Sequence, residues 1–79
     1  MVELLEFLAR SLVDEPEGVS VESFEEDDGT IVLELEVADG DAGKVIGRGG
    51  RTIAALRTIV KAASVKENRR VLVDVIDND

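Results

Sequence analysis

The chain contains no cysteine and no histidine. That excludes a disulfide framework, the usual zinc ligand sets and any Ser-His or Cys-His nucleophile. Tryptophan and tyrosine are also missing, and the two phenylalanines, Phe7 and Phe24, fall where packing is expected. Stacking of bases on aromatic platforms is therefore excluded. No apolar run is long enough to span a membrane. The first residues, MVELLEFLAR, carry acids inside their apolar run and no basic start, unlike a signal peptide. The expected location is cytoplasmic.

Positive charge is scarce and confined. The net charge is -9, and residues 1–43 hold fourteen acids against the single base Arg10. Residues 44–70 hold eight bases against the single acid Glu67, and residues 71–79 add three aspartates. Such asymmetry points to an anionic partner at one face. The 79 residues are 44% apolar, which suits one small globular domain, expected over 1–79, whose core is marginal at this size.

Six elements follow from periodicity. Val2, Leu5, Leu8 or Ala9, and Leu12 recur at helical spacing, so a helix is expected over 2–14, with Pro16 and Gly18 ending it. Val19 and Val21 start a strand, while Phe24, on the other parity, suggests a bulge or the end of pairing. Asp27-Asp28-Gly29 is a hairpin turn signal. Ile31, Leu33, Leu35 and Val37 then alternate with Val32, Glu34 and Glu36, a strand with one buried face. Asp39 or Asp41 is placed to cap a short helix ending near Ile46. A longer helix starts near Arg51 with apolar positions Ile53, Leu56, Ile59 or Val60, and Ala63. Val71, Val73 and Val75 mark a third strand. The expected fold class is α+β, with three helices on one face of a three-stranded sheet.

The stretch VIGRGGRTI, residues 45–53, joins the two later helices. Glycines at such a joint permit positive φ and leave the backbone bare. The following helix offers unpaired N–H groups and the positive end of its dipole, a combination suited to a phosphate. Arg48 and Arg51 add positive charge there, and Lys44 stands one turn earlier. Competing motifs fail. Asp39-Gly40-Asp41 resembles the start of a calcium loop, but its twelfth position is Gly50 rather than Glu. Gly40-x-x-Gly43-Lys44-Val45 lacks the spacing and the hydroxyl of a nucleotide phosphate loop, and Gly47-x-Gly49-x-x-Thr52 misses the third glycine of a dinucleotide motif. The four serines (Ser11, Ser20, Ser23, Ser64) are scattered and read as caps and surface. No metal, cofactor or enzymatic activity is expected.

The pattern V-I-G-x-x-G-x-x-I, between two helices in a helix-strand-strand-helix-helix-strand order, resembles the KH domain in its bacterial, type II arrangement. That module clamps nucleotides with a G-x-x-G loop. The resemblance covers the whole chain, and GKVIGRGGRTIAALRTIVKAA is similar to the small stand-alone bacterial KH proteins of the KhpA type. It implies single-stranded RNA binding, action as an RNA chaperone or post-transcriptional regulator, and a link to control of cell elongation and division. It also implies self-association or pairing with a larger KhpB (Jag)-type KH protein. Carried over, Gly47, Arg48, Gly49 and Gly50 match the clamping loop, while Val45, Ile46 and Ile53 match aliphatic positions beside the groove. Ile53 fits the core equally well. Val32 and Leu33 are the nearest candidates for the strand wall. Gly49 departs from the family, in which many members carry a larger polar or basic side chain there. The other reading is a protein-interaction module with the same fold and only incidental RNA binding, favoured by the acidic first half.

Overall fold

The computed structural model describes residues 1–76, and of Lys66 the backbone alone; the last three residues of the expected domain lie outside it. The order is α1 (Val2–Leu12), β1 (Ser20–Glu25), β2 (Ile31–Glu36), α2 (Ala42–Ile46), α3 (Arg51–Ser64) and β3 (Val71–Ile76). Short 3-10 turns at Pro16–Gly18, Arg48–Gly50 and Val65–Glu67 link them. This is the expected α+β order, with the turns added.

The central strand β2 pairs antiparallel with β1 and parallel with β3. Its odd residues Ile31, Leu33 and Leu35 are buried, and the register sets Ile31 beside Val71 and Leu33 beside Val73. The helices cover that face with Leu5, Ala9, Val45, Ile53, Leu56 and Val60. Period-two burial on β2 against helical spacing on α3 is what fixes the layer order.

Five expectations change. On α1 the buried stripe is Leu5 and Ala9, and Leu12 is exposed. On α3 it closes through Val60, leaving Ile59 and Ala63 on the surface. Strand β1 has no bulge: its register is unbroken from Ser20↔Glu36 to Glu25↔Ile31. Phe24 instead joins the face without helices, opposite Val32. Both phenylalanines are on the surface, Phe7 at 66% and Phe24 at 47% exposure, rather than in packing positions. Ser64 is buried and donates through Oγ to the Lys61 carbonyl at 2.9 Å. A residue near a helix end can satisfy its own hydroxyl in this way, so burial is cheap.

The hairpin turn is closed by Glu26 N–H to Thr30 O at 2.8 Å and Gly29 N–H to Glu26 O at 2.9 Å. Asp28 Oδ1 accepts the Thr30 N–H at 2.9 Å. That bond, helped by the Thr30 hydroxyl and the charge of Arg70, holds the Asp28 carboxyl below its ordinary value.

Candidate nucleic-acid interface

Helix α2 stops because Gly47 turns to φ 77° and ψ 169°, a conformation open almost only to glycine. Its N–H bonds to Gly43 O at 2.9 Å, and Gly50 N–H bonds back to Gly47 O at 3.1 Å. Gly49 (φ 66°) and Gly50 (φ 77°) are left-handed too. The three glycines differ in surroundings. A Cβ on Gly49 or Gly50 would meet only open space, whereas one on Gly47 would collide with the Thr52 side chain. The joint is thus a bare backbone ridge, with Arg48 and Gly49 exposed at its crest. No side chain caps the N-terminus of α3 behind it, so its first N–H groups and dipole are left for an outside partner.

From this loop α3 runs beside the free edge of β3. Between them lies a groove of about 200 Å³ lined by Arg57, Lys61 and residues Val71, Leu72, Val73 and Asp74. Arg57 and Lys61 are four apart, so they share a helix face. Arg57 Nε donates to the Val73 carbonyl at 3.1 Å, which fixes the guanidinium at the strand edge. Arg48 and Arg51 thus stand at the loop, and Arg57 and Lys61 stand further along α3 in the groove.

The other expected residues separate. Val45 is wholly buried and Ile53 nearly so, and both are part of the core. Ile46 is half-buried at its margin. Lys44 is paired: its Nζ lies 3.3 Å from Asp14 Oδ2. Neither Val32 nor Leu33 forms the strand wall. Leu33 is in the core, and Val32 lies on the opposite face of the central strand. The wall is β3, because the parallel register leaves β3 at the edge next to α3.

Asp41 is the N-cap residue of α2, yet its side chain makes no capping bond. The carboxylate, only 4% exposed, accepts the N–H groups of Glu15 at 3.1 Å and Asp14 at 3.4 Å. It thereby ties the segment after α1 to the start of α2 and brings Asp14 within reach of Lys44. Arg57 and Lys61 escaped the sequence reading, which took Asp41 only as a candidate cap. The i, i+4 spacing of Arg57 and Lys61 off the apolar stripe was a usable signal. The partners of Asp41, more than twenty residues away, left none.

The family model for the KhpA/KhpB KH domain matches residues 2–75. The chain belongs to this family. Relatives include the RNA-binding protein KhpA of Clostridium acetobutylicum, 53% identical over 76 residues, and that of Clostridium perfringens, 51% identical over 76 residues; each match covers 96% of this chain and all of the relative. The KhpA of Halalkalibacterium halodurans is 50% identical over 78 residues, covering 98% of this chain and all of the relative. The KhpA/KhpB KH family is a non-enzymatic one. Among the described residues no acidic group is arranged to hold a metal ion, and no helix is long and apolar enough to cross a membrane.

Proposed function

We propose that this chain binds short single-stranded RNA, with the backbone of Gly47–Gly50 against phosphates and the α3–β3 groove against bases. The observation that carries the reading is that helix α3 starts at the bare glycine ridge with Arg48 and Arg51 and further along contributes Arg57 and Lys61 to the groove. KH membership and relatives named as RNA-binding proteins support it. The groove offers aliphatic walls and hydrogen-bonding groups but no aromatic ring, so bases are pressed and edge-read rather than stacked. A short contact of this kind is weak, and affinity rises when domains are paired.

The finer reading is a cytoplasmic RNA chaperone or post-transcriptional regulator in control of cell elongation and division. It acts as a single KH domain over 1–79, as a homodimer or with a KhpB (Jag)-type partner. We assign self-association to the outer side of α3, where exposed Ile59 stands between exposed Ala55 and Ala62. Light scattering of the purified chain and of Ile59→Lys tests it: the variant should run as a monomer.

The RNA reading is tested by replacing Arg48 and Gly49 with Asp and measuring RNA crosslinking and partner co-purification in cells, with circular dichroism to monitor the fold. RNA occupancy should fall while the fold persists. Unchanged occupancy in a folded variant would favour the protein-interaction reading.

A further inference from the structure

The sheet face turned away from the helices is ordered in cross-strand rows. Phe24, Val32 and Leu72 form one row, and Glu22, Glu34 and Asp74 the next. Phe24 and Leu72 are 47% and 40% exposed, an apolar stripe across all three strands that lies on the face away from the described helices. In the acidic row Glu34 stands directly opposite Glu22 on one side and Asp74 on the other. Like charges in directly opposed positions destabilise a sheet. The free domain therefore carries a repulsion that a cation laid across the row would relieve. Beside that row is a hollow of about 40 Å³ lined by Ser20, Glu22, Glu34, Glu36 and Ile76, enough for one ammonium-sized group.

We infer that this open sheet face docks a basic amphipathic helix of a different protein, an aliphatic side chain resting on Phe24, Val32 and Leu72 while a Lys or Arg enters the acidic row. Charge complementarity selects the partner, and the spacing fits. The two rows are two residues apart along the strands, ~7 Å, and side chains at i and i+4 of a helix are ~6 Å apart. A row with a carboxylate on each of the three strands repels the phosphates of nucleic acid. A second copy fits poorly. Docking through Arg48, Arg51 or Lys61 would be head-to-tail, giving a ring or an open filament, and docking through Lys61 would cover the groove. Two open faces laid together with their strands parallel would set acidic row against acidic row. Leu72 and Asp74 also border the groove, but Phe24 and Glu22 lie on β1, the strand edge opposite it, so the inference does not rest on RNA binding.

The test uses isotope-labelled protein and a synthetic 18-residue helical peptide with Lys and Leu at i, i+4 spacing on one side, against a scrambled peptide of the same composition. Amide shifts are expected at Phe24, Val32, Glu34 and Leu72 with the patterned peptide alone, leaving Gly47–Gly50 unmoved. Equal shifts with the scrambled peptide, or shifts centred on Arg57 and the loop, would overturn the inference. Glu34→Gln should raise the melting temperature, by about 2–6 °C, while weakening peptide binding at least ~5-fold. Unchanged peptide affinity in that variant sinks the idea. In cells, a benzophenone side chain at position 24 should crosslink to a Lys- or Arg-bearing helical segment of another protein. Crosslinking to RNA, to a second copy or to nothing refutes it.

Discussion

The Thr52 side chain stands directly over Gly47, so that a Cβ on Gly47 would lie 2.7 Å from Thr52 Cβ and 2.8 Å from its backbone N. The first residues of α3 are thus packed onto the residue that ends α2, and the joint owes its sharpness to a missing side chain. Gly47→Ala should cost about 3 kcal/mol or more, combining a glycine-only backbone with a clash. Gly49→Ala meets open space and should cost about 1 kcal/mol, for its left-handed φ alone. Urea denaturation of the two variants checks the ranking; equal costs would mean the Gly47–Thr52 contact is not made.

Asp41 is the second fixed point behind the loop. Its buried carboxylate accepts two backbone N–H groups from the segment after α1. Asn can accept with one oxygen only and carries no charge. Asp41→Asn should therefore destabilise by about 1.5–3 kcal/mol, and hydrogen exchange should show the Asp14 and Glu15 amides losing protection first.

Most of the fold was legible because period-two burial on β2 and helical spacing on α3 each point to one core face. The errors share a cause. Phe24 read as a bulge because a strand with one buried face has no place for an apolar residue of the other parity, and sequence does not show what lies on the open face. Val32 and Leu33 were candidates for the groove wall because the edge position of β3 depends on strand order, a property of pairing rather than of any one strand. The glycine loop was legible residue by residue, since its requirements are local. The Arg57–Val73 bond and the reach of Asp41 are long-range and left no pattern.

Arg57 gives a test of the groove apart from the loop. Its Nε–H holds the Val73 carbonyl, a donor that Lys cannot supply in that geometry. Arg57→Lys keeps the charge and should loosen the edge of β3, weakening RNA binding by roughly 3–10-fold, the worth of one hydrogen bond. Fluorescence anisotropy with a short single-stranded oligonucleotide measures it. An unchanged affinity would separate the groove from binding.

Asp28 sets a pH dependence. The Thr30 N–H, then the Thr30 hydroxyl and Arg70, favour its ionised form and hold its carboxyl below the ordinary 3.8. A depressed folded-state value contributes stability that is present above 3.8 and lost as the pH falls through the folded-state value. The stability difference between the native chain and Asp28→Asn should therefore be constant near neutrality and shrink between about pH 5 and pH 2. Thermal melts across that range read it directly, and a difference that does not change with pH would show that the charge on Asp28 does not matter.

Salt dependence distinguishes cations that neutralise phosphates from those that do not. With ~2–4 phosphates contacted on a single strand, the log–log slope of affinity against salt should be about -1.5 to -3. Arg48 is exposed at the loop crest, and its replacement by Ala should flatten that slope by about 0.7. Lys44 is already paired with Asp14 at 3.3 Å. If that pair persists in the complex, Lys44 releases no counterion from the nucleic acid, and Lys44→Ala should leave the slope unchanged while lowering stability by at most about 1 kcal/mol. Titrations of both variants at several salt concentrations decide the matter: a slope change for Lys44→Ala as large as that for Arg48→Ala would mean that RNA draws Lys44 away from Asp14.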